Sequence, residues 1–79
     1  MTKFRIDGIE YPIVMYGYID NGRILIEMVD MGKETAQELL TNCTTIKYIN
    51  ADGVVTDYSQ MKFDSFYEGM KGKTMVILK

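Results

Sequence analysis

Three dipeptides constrain this chain more than any other feature: Asp7-Gly8, Asn21-Gly22 and Asp52-Gly53. Glycine, and Asn or Asp before it, tolerate the positive φ that a two-residue type I′ hairpin loop requires. Each dipeptide is flanked by strand-like residues. Phe4 and Ile6 alternate with Arg5 and Asp7, and beyond the first turn Ile9, Tyr11, Ile13 and Met15 alternate with Glu10, Pro12 and Val14. That period of two is the pattern of a hairpin with one buried face. Pro12 lacks an N–H, which places its strand at a sheet edge or delays its start, and Gly17 is a candidate bulge or bend.

After Asn21-Gly22 the run Arg23 to Val29 puts Ile24, Ile26 and Met28 on one face, with Leu25 and Val29 opposite. Apolar residues on both faces mark a central strand or one covered on both sides. The period then changes. Ala36, Leu39, Leu40 and Cys43 fall at i, i+3, i+4 and i+7, the stripe of an amphipathic helix over about residues 33–42. Thr35 and Glu38 fit a capping box, while Asp30 or Gly32 would start the helix earlier, so the boundary stays open. A helix this short must dock on a sheet to persist. Strand character resumes from Thr44 to Asn50, from Val54 to Met61 after the Asp52-Gly53 turn, less regularly from Lys62 to Tyr67, and in Thr74 to Leu78.

The fold class is therefore α+β: a strongly bent antiparallel sheet, or a small β-barrel, of about five to seven strands with one short helix. The 79 residues make a single domain spanning 1–79. A chain this small keeps a high ratio of surface to volume. Cys43 is the only cysteine, so no disulfide forms within the chain, and with no histidine a zinc site lacks ligands.

The same inventory removes most catalytic chemistry. A nucleophile needs a base beside it, and Cys43 falls at or past a helix C-terminus, where the dipole raises a thiol pKa. Its spacing makes it a small core residue. The carboxylates near Asp20, Glu27 and Asp30 and near Asp57, Asp64 and Glu68 are spread over turns and both strand faces, and read as a solvated surface. There is no calcium loop, no Gly-x-Gly-x-x-Gly and no P-loop. The expectation is a protein that is not an enzyme, with no catalytic residue, metal, cofactor or small-molecule substrate. The stretch Tyr58, Phe63, Phe66, Tyr67 with Lys62, Lys71 and Lys73 has the mixture of a single-strand nucleic-acid platform. The net charge of −2 argues against it, because phosphate neutralisation supplies most such affinity.

The order of elements resembles a known group. It begins with the Asp7-Gly8 hairpin and continues with a strand leading into a Glu-x-x-x-x-Leu-Leu helix at Glu34 to Leu40. The strand and turn from Ile46 to Val55 follow, and an aromatic stretch and a terminal strand close it. In this it resembles the small β-barrel-like proteins encoded in phages and prophages of Gram-positive bacteria, some of which occur among virion and tail-assembly components. The likeness is one of pattern and covers nearly the whole chain. It implies an assembly role and assigns no active-site residues.

Six tyrosines and seven methionines are unusual in so small a chain. Six phenols cannot all be buried with their hydroxyls satisfied, and both residue types are enriched at protein–protein interfaces. The expected interface residues are Tyr16, Tyr18, Tyr58, Phe66, Tyr67 and Met70. The expected function is a protein–protein interaction module, a phage or prophage structural or assembly component. The alternatives are a small nucleic-acid-binding barrel and a mobile-element inhibitor that docks on a host enzyme. No segment reads as a signal peptide or is long enough to span a bilayer. The expected location is therefore cytoplasmic, or virion-associated if the chain is phage-derived, with no membrane partner. Self-association into a homo-oligomer is expected from two features: a strand apolar on both faces, and the uncharged terminal strand Thr74 to Leu78 taken as an open edge.

Overall fold

The computed structural model describes residues 2–20, 22–68 and 74–79. Seven strands and one helix follow one another as β1 (Lys3–Ile6), β2 (Ile9–Tyr18), β3 (Ile24–Met28), α1 (Lys33–Asn42), β4 (Ile46–Ile49), β5 (Val55–Asp57), β6 (Phe63–Glu68) and β7 (Thr74–Leu78). The strands form one antiparallel sheet in the order β5-β4-β1-β2-β3-β7-β6. The class is α+β, with the helix at the residues its apolar stripe specifies. The sheet is not closed into a barrel: β5 and β6 pair on one side only, among the described residues.

The sheet is nonetheless strongly curled, and chain reach requires it. Residues 58–62 connect β5 at one edge to β6 at the other. Six Cα steps span at most about 20–22 Å, whereas seven flat strands would set their outer members about 29 Å apart. The bend is built into β2. Its first residues pair with β1 (Phe4 with Tyr11, Ile6 with Ile9), its later ones with β3 (Tyr16 with Ile26, Tyr18 with Ile24), and the register shifts between Ile13 and Met15. An extra residue there, Val14, bends the strand as a β-bulge does. A second shift between Phe63 and Ser65 does the same in β6.

These pairings correct three expectations. β2 lies between β1 and β3, so Pro12 is not on an edge strand. It sits where β2 changes partner, and its carbonyl accepts the Val29 N–H at 3.2 Å; a residue without an N–H is tolerated where a ladder begins. The terminal strand β7 lies between β3 and β6 and is not an edge either. Finally, Asp7-Gly8 makes a two-residue hairpin, with φ of 50° and 84° in the left-handed region that type I′ demands, but Asp52-Gly53 does not. In the Asp52-Gly53 loop, Gly53 N–H bonds to Asn50 carbonyl (3.0 Å), Asn50 N–H to Val54 carbonyl (3.1 Å), and Gly53 has φ 81°. This is a three-residue loop with a left-handed glycine. Asn50 also accepts Asp52 N–H and Val54 N–H through its side chain, each at 2.9 Å. At the second turn Arg23 N–H bonds to the Asp20 carbonyl, Ile19 N–H to the Arg23 carbonyl, and Gly22 has φ 75°. Asn21 itself lies outside the described residues.

The concave face holds the core: Phe4, Ile6, Ile13, Ile24, Ile26, Ile46, Val76 and Leu78 from the sheet, with Ala36, Leu40 and Cys43 from the helix and its end. Helix α1 packs over β6 and β7. Gly32 is its N-cap without a side-chain bond, so neither Thr35 with Glu38 nor Asp30 caps it. It stops at Cys43, whose backbone is extended and whose N–H returns to the Leu39 carbonyl at 3.0 Å. Asp7 fixes that exit: its carboxylate accepts the N–H groups of Thr44 (2.8 Å) and Thr45 (2.9 Å). The two backbone N–H donors hold its carboxyl below the ordinary carboxylate range. None of the described helices is long and apolar enough to cross a membrane.

Candidate functional site

The half of the concave face away from the helix is lined with aromatic rings. Phe4 on β1 pairs across to Tyr11 on β2 and to Tyr48 on β4. Tyr16 and Tyr18 follow the β2 bulge, which carries them over this same hollow. Tyr58 follows β5 directly, and its N–H donates to the Ile46 carbonyl at 2.7 Å. The Asp57 carboxylate accepts the Ser59 hydroxyl (2.5 Å) and N–H (2.9 Å), which shapes the turn that aims Tyr58 inward. Two strands and a loop therefore deliver four tyrosines to one place, against Phe4 of a third strand.

Their rings and hydroxyls interlock. Tyr16 stacks on Tyr48 with centroids 4.1 Å apart and planes 18° apart. Phe4 meets Tyr16 edge-on at 5.8 Å, and Tyr16 meets Tyr18 edge-on at 5.9 Å. Such offset and edge-on geometries are the favoured ones for aromatic quadrupoles. The Tyr58 hydroxyl bonds to the Tyr16 hydroxyl, and also to that of Tyr18 at 2.8 Å. Burial, and then the neighbouring hydroxyls of Tyr18 and Tyr58, push the Tyr16 phenol up from its ordinary value. Burial likewise raises Tyr58. The hydroxyls of Tyr16 and Tyr58 lower that of Tyr18, because they stabilise its anion. Tyr18 is 74 % exposed, yet it is held by this bond.

The six expected interface residues divide accordingly. Tyr16, Tyr18 and Tyr58 come together as one cluster. Phe66 is on the concave face but under the helix, edge-on to Phe63 at 4.9 Å and with the Lys33 ammonium 5.7 Å from its centroid. Tyr67 is on the opposite, convex face beside Met75, 52 % exposed. Met70 lies outside the described residues, as do Lys71 and Lys73. The aromatic stretch therefore does not form one stacking platform: Phe63 and Phe66 pack against the core while Tyr67 faces the other way. Tyr48 was missing from the expected set. Its only sequence signal is its alternation with Ile46, which does not say that β4 will lie beside β1.

Other candidate chemistry is sparse among the described residues. No three of their carboxylates and thiols group as metal ligands would. Cys43 is buried, its thiol donates to the Leu40 carbonyl at 3.6 Å, and burial pushes its pKa up, as befits a core residue. Lys62 donates from its ammonium to the Cys43 carbonyl at 2.7 Å, supplying at the helix C-terminus the cation that the last turn of α1 lacks. No family model, curated protein or solved structure matches the chain.

Proposed function

We propose that this chain is a non-enzymatic protein–protein interaction module whose contact surface is the cluster of Tyr16, Tyr18, Tyr48 and Tyr58. The observation that carries the reading is Tyr18: a large aromatic side chain, mostly in water, fixed by a hydroxyl bond from the loop after β5. An exposed ring that is already immobile loses little entropy when a partner covers it, which is the property of interface hot spots. An assembly role of the kind found among phage and prophage components accords with a small, rigid adaptor, and remains part of the proposal.

Self-association belongs to the same reading. The convex face carries Val14, Met15, Leu25, Met75 and Tyr67, and the first two and the last are exposed. The total surface of 5022 Å² is close to the about 4,900 Å² of a compact monomer of this mass, so a second copy would cover a patch and not complete a core.

The test places a photo-crosslinking residue at position 18 in cells that express the protein, with a control at Glu34 on the exposed side of α1. A discrete protein adduct from position 18 and none from position 34 supports the module. Tight retention of single-stranded DNA or RNA at moderate salt, lost in Tyr18→Ala, would replace it with the nucleic-acid reading.

A further inference from the structure

We infer that Tyr18 and Tyr58 form an oxidative crosslinking site, at which a one-electron oxidant joins the two rings by a carbon–carbon bond and ties β2 to the loop after β5. The inference needs no partner protein. It starts from how the tyrosines differ in access. Tyr58 is the hub of the cluster: its hydroxyl bonds to that of Tyr16, and to that of Tyr18 at 2.8 Å. Tyr18 is 74 % exposed, whereas Tyr16 and Tyr58 are half-buried. Tyr67 is exposed as well, but on the convex face, away from the cluster. An oxidant in solution therefore meets the cluster at Tyr18. The hydroxyls of Tyr16 and Tyr58 lower the Tyr18 phenol, which favours the phenolate, the form that gives up an electron most readily.

The step balances with hydrogen peroxide acting through a haem peroxidase. Tyr18 loses one electron and its phenolic proton and becomes a phenoxyl radical. The Tyr58 hydroxyl passes its hydrogen atom across the shared bond to the Tyr18 oxygen, which restores the Tyr18 phenol and leaves the radical on Tyr58. A second oxidation of Tyr18 sets two radicals side by side. Their unpaired spin lies partly on the ring carbons next to the hydroxyl-bearing carbon, and those carbons flank the hydrogen bond between the rings. The two carbons join. Each then releases its proton, each phenolic oxygen takes one up, and both rings become aromatic again. The protein has lost two hydrogen atoms, and one peroxide has taken them up to become two waters. Groups already held together react as though at very high concentration, so coupling within one chain outruns coupling between chains. The bond joins positions 40 residues apart. It acts on the unfolded chain as a disulfide would, in a protein whose one cysteine forms none internally.

The experiment treats the purified protein with peroxidase and hydrogen peroxide at two concentrations about tenfold apart, and maps crosslinked peptides by mass spectrometry. The expected product is a Tyr18–Tyr58 bond within one chain, in the same yield at both concentrations. It should disappear in Tyr18→Phe and in Tyr58→Phe, which keep the rings, and persist in Tyr16→Phe. The crosslinked wild type should melt about 5 °C or more above the untreated protein. A yield that falls on dilution, or crosslinks mainly between chains through Tyr67, would overturn the site. A bond within the chain that survives Tyr18→Phe would overturn Tyr18 as the residue that reacts.

Discussion

The two halves of the concave face solve the same problem differently. Over β3, β6 and β7 the lining carries no polar group (Ile24, Ile26, Val76 and Leu78, with Phe63 and Phe66), and α1 closes it with Ala36 and Leu40. Over β1, β4 and the far end of β2 no helix lies among the described residues, and outside Ile6 and Ile46 the lining is Phe4, Tyr16 and Tyr48 with Tyr58 across the mouth. Side chains without a polar group have to be lidded, because nothing in them tolerates water. Tyrosines can lid themselves: the ring packs inward and the hydroxyl remains at the water boundary. The helix-covered half is thus closed, and the half without a helix is the one that presents tyrosine hydroxyls at its surface, where the proposed contact lies.

Removing the lid should hurt most. Leu40 is fully buried, and Leu40→Ala should lower stability by about 2–5 kcal/mol in denaturant unfolding. Tyr18→Ala, in the other half, should lower it by only about 1 kcal/mol, the worth of one hydroxyl bond and one edge-on ring contact at an exposed site. Equal costs would erase the contrast between scaffold and site.

The next effect is alkaline. The Tyr16 phenol is raised in the folded state, so its contribution is complete below the ordinary value of 10.0 and is lost as pH rises above it. Stability of the wild type should fall from about pH 10 upward, less steeply in Tyr16→Phe, followed by circular dichroism. A profile unaffected by the substitution would mean that the hydroxyl of Tyr16 is not desolvated.

Acid acts on the latch between the halves. The Asp7 carboxyl is lowered, so the stability it adds is complete above its ordinary value of 3.8 and is lost as pH falls through the folded value. Asp7→Ala should lower the thermal midpoint at neutral pH. Asp7→Asn, which keeps an acceptor and tolerates the left-handed φ, should lower it less. Identical losses in the two variants would mean that the bonds to Thr44 and Thr45 carry none of the effect.

How much of this was legible follows from range. The alternation of Phe4 with Ile6 and of Ile24 with Ile26, and the stripe Ala36, Leu39, Leu40, Cys43, are local patterns, and the strands and helix lie where those residues put them. Loop type was less legible, because an Asx-Gly pair serves both a two-residue type I′ turn and the end of a three-residue loop. Only the bonds to Asp20 and Asn50 distinguish them. Strand order was not legible at all. Nothing local to Ile46–Ile49 says that β4 returns to pair with β1, nor that β7 inserts between β3 and β6. The tyrosine cluster depends on that order, so its members could be chosen by residue type but not separated from Phe66 and Tyr67, which face elsewhere.

The smallest and most telling effect concerns Tyr18 itself. Its phenol is lowered by hydroxyl neighbours, although the residue is exposed. The decisive measurement is an NMR titration of ring-labelled tyrosine in the wild type and in Tyr58→Phe. The account predicts that Tyr18 ionises below the ordinary phenol value of 10.0 in the wild type and shifts upward when the Tyr58 hydroxyl is removed. A Tyr18 that titrates at the ordinary value in both proteins would show a freely swinging side chain, and would contradict the claim that this half of the sheet presents a preorganised site.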